Sequence, residues 1–272
     1  MLYRLLYFLT LSVLISSTQV HAEPLKTISL APHITELVYA AGAGDTLVGV
    51  SAYSNHPEQA TQKPIIGDAF RVDLEKIIAL QPDMVFYWQG TTTQQVLQQL
   101  SQHKLKTIPI KIESLADIGQ ALITIAEQLN LPRPTRYDEF MNRLHKLQEQ
   151  THKSQSVFIQ LSEQPLYTVS ASHWMSEAAA LCGLENIFQD LATTAATVNK
   201  EAVIGHNPDV IIRMQAINEN SPLQQWPQIS AIQNKHIVVL NPDIFSRPTP
   251  RIINAVEDLC RQVSQFSDNA GE

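Results

Sequence analysis

The sequence predicts an α/β fold of two lobes, each a parallel sheet flanked by helices, joined by one long rigid helix. Three observations predict it: a repeated motif, strands that alternate with helices, and a stiff segment between the two copies. The motif occupies residues 73–86 and 199–212, and in each copy a Glu stands seven residues before a Pro-Asp pair. Two copies of one unit indicate two similar lobes rather than a solenoid. A cleft between two lobes is a preferred ligand site.

A second phrase recurs inside the same two halves. Thr35-Glu36 leads to Gly42 as Ser176-Glu177 leads to Gly183, with six residues from Glu to Gly each time. Internal repetition outranks local pattern when a fold is inferred, so this phrase supports the same division.

Residues 1–22 are expected to be a cleaved signal peptide. Arg4 supplies the positive start, and residues 5–15 form an apolar run too short to span a bilayer comfortably. Residues 20–22 match the small-x-small cleavage pattern, so we expect the mature chain to begin at Glu23 in the periplasm. An uncleaved membrane anchor is the alternative.

The N-terminal lobe is predicted over residues 23–130. Apolar strands that alternate with helices indicate a parallel sheet covered by helices. The predicted strands are 27–30, 47–50, 84–88 and 106–110. The helices are predicted to start at Thr35, Asp73, Thr93 and Ser114. Thr35 is the expected N-cap of the first helix, and Gly42 is its expected end.

Residues 131–153 are predicted to connect the lobes. Apolar side chains recur there at intervals of three or four, at Tyr137, Phe140, Met141, Leu144 and Leu147. The segment contains no Gly, which a flexible linker would contain. We interpret it as one stiff helix from residue 135 to about 153, about 28 Å long. The alternative is an ordinary helix of one lobe.

The C-terminal lobe, residues 154–272, repeats the alternation. Its predicted strands are 157–161, 210–214 and 236–240, and its predicted helices are 175–181, 200–204, 228–233 and 250–263. The two cysteines of the chain, Cys182 and Cys260, both lie in this lobe. In an exported protein such a pair indicates a disulfide, here one that ties the last helix to its lobe. Two buried free thiols are the alternative.

Composition argues against several function classes. The formal net charge is −7 at pH 7, and no run of Lys and Arg occurs, so nucleic acid and anionic membranes are poor partners. No nucleophile elbow, P-loop or dinucleotide fingerprint occurs, and Gly is scarce. We therefore expect a protein that is not an enzyme; an exported hydrolase is the remote alternative.

Nine histidines raise the question of a metal site. None forms a His-Glu-x-x-His motif, and there is no His-rich loop. His33 and His173 stand in corresponding places near two helix starts, where they could meet across the cleft and bind a metal as in zinc receptors. The simpler interpretation, which we adopt, is no metal and a polar histidine on each cleft wall.

Five segments carry a family resemblance that extends over essentially the whole mature chain. They are ISLAPHITEL at 28–37, VSAYS at 50–54, LEKIIALQPD at 74–83, CGLENIF at 182–188 and RPTPR at 247–251. These phrases resemble the periplasmic cobalamin (vitamin B12)-binding proteins, the BtuF family. That family belongs to the helical-backbone (class III) solute-binding proteins of ABC importers. The resemblance implies a monomer that captures cobalamin between its lobes and delivers it to a membrane permease, with ATP hydrolysed by a partner.

The resemblance also implies which residues contact the ligand. They are Tyr53, Phe70 and Trp88 in the first lobe and Trp174, Asp243, Phe245 and Arg247 in the second. A corrin is a broad, largely apolar disc fringed with neutral amides, so aromatic faces supply contact area and a few polar groups fix its orientation. Trp88 lies at the end of a predicted strand, and this position favours a side chain that faces the cleft. The alternative is that Trp88 is an aromatic residue of the core.

Two stretches depart from the family pattern. Some family members carry a Trp in the stretch that corresponds to residues 69–70, where Phe70 is the only aromatic residue here. Members also carry an aromatic residue in the stretch that corresponds to residues 193–197, which contains no aromatic residue here. A different corrinoid such as cobinamide, an iron-siderophore or haem therefore stays an alternative ligand. Acidic chelates usually need several cleft cations. The candidates near predicted strand ends are Arg71, Arg213, Arg247 and Arg251.

Glu75 and Glu201, the two repeated acids, are implied by the resemblance to dock on arginines of the permease. An equivalent pair of acids suits a twofold-symmetric membrane partner. The alternative is that both are solvated acids in the first turn of a helix, favoured there by the helix dipole.

Overall fold

The computed structural model describes residues 25–68, 71–214 and 225–269. The expected signal peptide and the predicted ligand contact Phe70 lie outside these ranges. Within them, no helix combines the length and the apolar character needed to cross a membrane.

The first half of the chain folds around a parallel four-stranded sheet. Its strands are β1 (Thr27–Ser29), β2 (Leu47–Val50), β3 (Met84–Trp88) and β4 (Lys106–Ile110), in the order β2-β1-β3-β4. The helices are α1 (Pro32–Ala40), α2 (Leu74–Ala79), α3 (Gln94–Gln102) and α4 (Leu115–Gln128). Ile28 and Val85 pack on one face of the sheet and Phe86 on the other, all fully buried, which explains why the central strand β3 has apolar side chains on both faces.

The second half repeats this sheet. Its strands are β5 (Gln155–Gln160), β6 (Ser162–Glu163), β7 (Leu166–Val169), β8 (Leu184–Asn186), β9 (Ala195–Thr197), β10 (Val210–Arg213) and β11 (Ile237–Val239). The parallel sheet has the order β8-β5-β10-β11, which corresponds strand for strand to β2-β1-β3-β4. The repeated motif of the sequence is thus a repeated sheet, and the predicted two-lobe α/β fold is confirmed.

Strands β6, β7 and β9 form an additional antiparallel sheet that the sequence did not predict. These strands are two to four residues long. A strand that short shows too few alternations to be recognised from its pattern.

Helices α5 (Thr135–Gln148), α6 (Trp174–Ala180), α7 (Lys200–His206), α8 (Ser230–Gln233), α9 (Pro242–Phe245) and α10 (Ile252–Asn269) complete the described part of the chain. The predicted connecting helix is α5, and at 14 residues it is about 21 Å long, shorter than expected. It ends at Gln148 rather than near residue 153 because no apolar side chain after Leu147 continues its buried stripe.

The start of α1 also differs from the prediction. The helix begins at Pro32, and the expected cap Thr35 lies inside it, fully buried, with its hydroxyl 2.9 Å from Ser54 Oγ. Pro is well tolerated in the first turn, where its missing N–H has no helical partner to lose. The predicted starts at Asp73, Thr93 and Ser114 are confirmed, because each side chain accepts a backbone N–H bond as N-cap.

The repeated glycines end equivalent helices. Gly42 follows α1 with φ +82°, and Gly183 follows α6 with φ +74°. This left-handed conformation favours Gly. At Gly183 a Cβ would also lie 2.7 Å from His152 Cβ. The second repeated phrase therefore marks the end of one helix in each half.

The two halves share one apolar core. Fully buried residues of α1, α4, α5 and α10 belong to one cluster with those of both parallel sheets. The predicted disulfide is confirmed: Cys182, after α6, is bonded to Cys260 on α10, with Cα atoms 4.7 Å apart. A continuous apolar interface limits relative lobe motion.

Candidate ligand site between the two lobes

The carboxyl ends of the strands in both parallel sheets border a cleft, the usual ligand position in open α/β sheets. A cavity of about 350 Å³ there is lined by Trp88, Leu161, His173, Trp174, Met175, Met214, Pro242 and Ser246. A smaller cavity of about 110 Å³ adjoins it on the first lobe and includes His33, Arg71 and Trp88. The cleft surface is therefore largely apolar and aromatic.

Four aromatic rings form a continuous row across this cleft. His33 lies edge-on to Trp88 with ring centroids 4.4 Å apart, and the rings of Trp88 and Trp174 are 5.9 Å apart. Trp174 in turn lies 3.7 Å from His173. The first lobe supplies His33 and Trp88, and the second supplies the other two. The structure thus brings together the two predicted tryptophans, from the end of β3 and the start of α6.

Both histidines of the row are held in the neutral form. Burial, reinforced by the positive charge of Arg247, lowers the pKa of His33 to about 3. Burial alone lowers the pKa of His173 to about 4. His173 Nδ1 accepts the N–H of Met175 at 3.2 Å and so caps α6. Nowhere in the described ranges do three or more His, Cys, Asp or Glu side chains cluster in a way that could hold a metal ion.

A polar network joins the lobes beside the aromatic row. Arg247 Nη1 donates to Glu36 Oε1 at 3.0 Å and to Asn55 Oδ1 at 2.7 Å. Its Nη2 donates to Asp243 Oδ1 at 2.8 Å and to the carbonyl oxygen of Tyr53 at 3.1 Å. Three predicted contact residues, Tyr53, Asp243 and Arg247, therefore meet at one point of the lobe junction. Tyr53 as a residue is 79 % exposed.

Sequence reasoning missed the residue at the centre of this network. Glu36, on α1, is only 4 % exposed, and it also binds Arg251 of the other lobe through two hydrogen bonds. Its repeat counterpart Glu177, on α6, accepts the N–H of Leu115 on α4 at 2.6 Å, and burial raises its pKa. The two acids of the second repeated phrase thus each reach across to the opposite lobe. The repeated phrase drew attention to Glu36 and Glu177 in the sequence, but it did not indicate which residues they bind.

The remaining predicted site residues lie in three settings. Phe245, on α9, is fully buried in the main core and lines neither cleft cavity. Glu75 and Glu201 are exposed at the second position of α2 and of α7, and they are equivalent in the repeat. Phe70 lies outside the described residues.

The four candidate cations are mostly neutralised by acids. Arg247 and Arg251 pair with Glu36, and Arg213 pairs with Glu163 while itself only 2 % exposed. Arg71 lines the smaller cavity and is exposed. The cleft offers little uncompensated positive charge to an acidic ligand.

A larger cavity, about 660 Å³, lies on the side of α5 and includes Glu36 and Arg251 but none of the four rings. It is lined by charged side chains of both signs, among them Asp45, Arg136 and Glu139. The strand-end cleft is the candidate ligand site because the row of four aromatic rings lies there.

A family model described as a periplasmic binding protein matches residues 28–244. The chain belongs to this family of periplasmic binding proteins. Members of the family bind solutes and are not enzymes. The helical-backbone architecture, with two parallel sheets and a connecting helix, agrees with that membership.

This periplasmic binding protein is similar in sequence to three proteins with a named ligand, one of which has a solved structure. A vitamin B12-binding protein of Vibrio parahaemolyticus is 34% identical over 259 residues, covering 93% of this chain and 94% of the relative. One of Pectobacterium carotovorum is 33% identical over 275 residues, covering 98% of each chain. The crystal structure of the periplasmic vitamin B12-binding protein BtuF of Vibrio cholerae superposes with a TM-score of 0.82 at 34% identity, covering 89% of this chain and 97% of BtuF.

Proposed function

We propose that this protein is a periplasmic receptor that captures cobalamin in the interlobe cleft and delivers it to an ABC importer. The observation that carries the proposal is the similarity, over nearly the whole chain, to relatives named vitamin B12-binding proteins. The receptor performs no chemistry, and a membrane permease and an ATPase are its partners.

The aromatic row supports a broad, flat, apolar ligand. Trp88 and Trp174 together present large faces, and such faces bind apolar discs without requiring charge. Their centroids are 5.9 Å apart, which is less than the ~7 Å that a disc with van der Waals contacts on both sides requires. The ring planes are also tilted by 54°, so a corrin held between the two tryptophans would require them to separate and reorient.

The paired arginines favour a neutral ligand over an acidic one. A ferric siderophore or a haem brings several carboxylates or similar groups, which bind best to guanidinium groups that have no acidic partner. Arg213, Arg247 and Arg251 each have an acidic partner within this chain. A corrin fringed with neutral amides does not have to displace those partners.

The proposed ligand contacts are Tyr53, Trp88, Trp174, Asp243 and Arg247, together with Phe70, which lies outside the described residues. Phe245 is omitted because its ring is buried in the core. Asn55, Asp243 and Arg247 form a hydrogen-bonded network, and Arg247 also binds the backbone carbonyl oxygen of the exposed residue Tyr53.

Glu75 and Glu201 are the proposed docking residues for the permease. Both are exposed in the first turn of a capped helix, and those helices occupy equivalent places in the two lobes. Exposed charges of this kind mostly set the orientation and rate of encounter.

We also propose how the chain is divided. A leader occupies residues 1–22, the lobes occupy 23–130 and 154–272, and a connecting segment occupies 131–153. We propose that the receptor is a monomer.

Calorimetric titration of residues 23–272, with the disulfide intact, tests the ligand assignment. Cyanocobalamin, cobinamide, ferric haem and a ferric siderophore are titrated in parallel into the same preparation. We expect one-to-one cobalamin binding with a submicromolar dissociation constant, and much weaker binding of haem and siderophore. Haem or siderophore binding in the absence of cobalamin binding would refute the ligand assignment.

A further inference from the structure

Two buried ring nitrogens in the cleft have no hydrogen-bond partner among the described residues. They are Nε2 of His33 and Nε1 of Trp174. As residues, His33 is 4 % exposed and Trp174 is 6 % exposed. A buried polar group without a partner costs about 1–3 kcal/mol. Such atoms are few in folded proteins, and the described residues contain four others, on His152, Gln160, Arg213 and Thr249. His33 and Trp174 differ from those four because they line the two cleft cavities. Two such atoms in one ligand cleft indicate that a ligand supplies the missing partners.

The repeat places these two nitrogens in equivalent positions. His33 stands three residues before Glu36, and Trp174 stands three residues before Glu177. Each lies in the first turn of the helix that carries the repeated Glu. The two lobes therefore present one unsatisfied ring nitrogen each from corresponding places.

Trp88 is the common neighbour of both rings. Its ring centroid lies 4.4 Å from that of His33 and 5.9 Å from that of Trp174. A disc held between Trp88 and Trp174 would separate these two rings and would lie next to the rings that carry both nitrogens. A disc bound there would have its rim beside them.

We propose that His33 and Trp174 select the ligand by hydrogen bonding to two of its peripheral amide groups, one held by each lobe. This inference rests on the proposed function. An indole N–H only donates, so Trp174 would bind an amide carbonyl oxygen. A neutral imidazole offers one donor and one acceptor, and an amide can satisfy either. The lowered pKa of His33 keeps its imidazole in that neutral form at neutral pH.

The test is a titration series with cyanocobalamin and with its derivatives in which one peripheral propionamide is hydrolysed to a carboxylate. The proteins are the wild type, Trp174→Phe and His33→Phe, which keep an aromatic ring and remove the nitrogen. Each substitution should weaken cyanocobalamin binding about tenfold. Hydrolysis of one peripheral amide should change the affinity of each variant by a factor that differs about fivefold or more from the factor measured for the wild type. The amide that shows this difference should not be the same one for Trp174→Phe as for His33→Phe.

Three further variants make the result specific. Trp226→Phe changes a tryptophan that packs on a separate core cluster and should leave all affinities unchanged. Trp88→Phe reduces the aromatic area and should weaken every derivative by a similar factor, because the Trp88 nitrogen is not one of the two buried atoms without a partner. His33→Gln retains a donor and an acceptor and should recover part of the affinity that His33→Phe loses.

The outcomes separate this inference from the proposed function. One outcome is that the wild type binds cyanocobalamin while the affinity ratio of each hydrolysed derivative to cyanocobalamin is the same in the wild type and in both variants. In that case the two nitrogens do not contact amides, and the inference is refuted. If the wild type binds haem and no corrinoid, both the proposed function and the inference are refuted. A position-specific difference in each variant supports both.

Discussion

Glu36 and Arg251 stand 215 positions apart in the chain and form a two-point ion pair at the lobe junction. Arg251 Nε lies 2.9 Å from Glu36 Oε2, and Nη2 lies 2.7 Å from Oε1. Arg247 binds the same carboxylate from a neighbouring position. One buried acid of the first lobe therefore holds two cations of the second.

Glu36→Gln should destabilise the protein strongly. The substitution keeps the size of the side chain but removes the carboxylate that pairs with Arg251 and one of the two acidic partners of Arg247. Removing one partner of a buried ion pair costs about 3–5 kcal/mol. Urea unfolding at neutral pH measures the change, with Glu75→Gln as control, since that exposed acid should change stability by less than about 0.5 kcal/mol. Equal stability of the two variants would contradict the structural role of Glu36.

Stability should fall as the pH drops below neutral, because the buried His33 and the half-buried His173 are held in the neutral form. The folded-state pKa values of His33 and His173, about 3 and about 4, lie below the value of about 6.5 expected in the unfolded chain. Between these values the unfolded state binds more protons, so the free energy of unfolding decreases as pH falls. Each histidine contributes a slope of up to about 1.4 kcal/mol per pH unit in that window.

Urea unfolding of the wild type and of a His33→Phe/His173→Asn variant between about pH 7 and about pH 4.5 measures this slope. Asn can replace His173 as the cap of α6. The variant should show a clearly smaller loss of stability on acidification. Glu177 acts in the opposite direction, because its raised pKa favours the folded state at low pH, and it is present in both proteins. Identical slopes would show that the two histidines are not held in the neutral form.

Removing the disulfide should cost several kcal/mol. The bond joins residues separated by 78 positions, and the loop-entropy model assigns about 4 kcal/mol to a loop of that size. Cys182→Ala/Cys260→Ala should show this loss in urea unfolding, and a reducing agent should lower the stability of the wild type to a similar level. The double variant itself should not respond to the reductant. A wild type that is insensitive to reduction would contradict a stabilising disulfide.

The sequence predicts all four strands of the first parallel sheet and three of the four in the second, but it misses the three-residue strand β8. Strand Met84–Trp88 and strand Lys106–Ile110 match their predicted bounds, the first following a Pro-Asp pair that cannot continue a helix. The helix starts at Asp73, Thr93 and Ser114 were also predictable, since a cap depends only on local backbone geometry.

The contacts between the lobes were not predictable in the same way. The pair of Glu36 with Arg251 and the contact of Trp88 with Trp174 depend on how two sheets pack, which no local pattern contains. The repeat indicated that Glu36 and Glu177 are equivalent, but not that each bonds to the opposite lobe. The end of α5 was misplaced because polar residues after Leu147 carry no sharp stop signal such as Pro or Gly.

The docking proposal predicts that two charge reversals uncouple the receptor from its importer. Glu75→Lys/Glu201→Lys should abolish receptor-dependent stimulation of the importer's ATPase in proteoliposomes and leave cobalamin affinity unchanged. Both side chains are exposed, and like charges facing the proposed permease arginines repel. Each single reversal should give an intermediate effect, because the two acids occupy equivalent places in the two lobes.

Glu127→Lys/Asp190→Lys is the matched control, since it changes net charge equally at two other exposed acids. It should stimulate the ATPase like the wild type, and higher salt should weaken stimulation by the wild type because exposed charge pairs are screened. Equal losses in both double variants would show a general charge effect in place of docking at two points. A loss of cobalamin affinity in Glu75→Lys/Glu201→Lys would show instead that these acids affect the cleft.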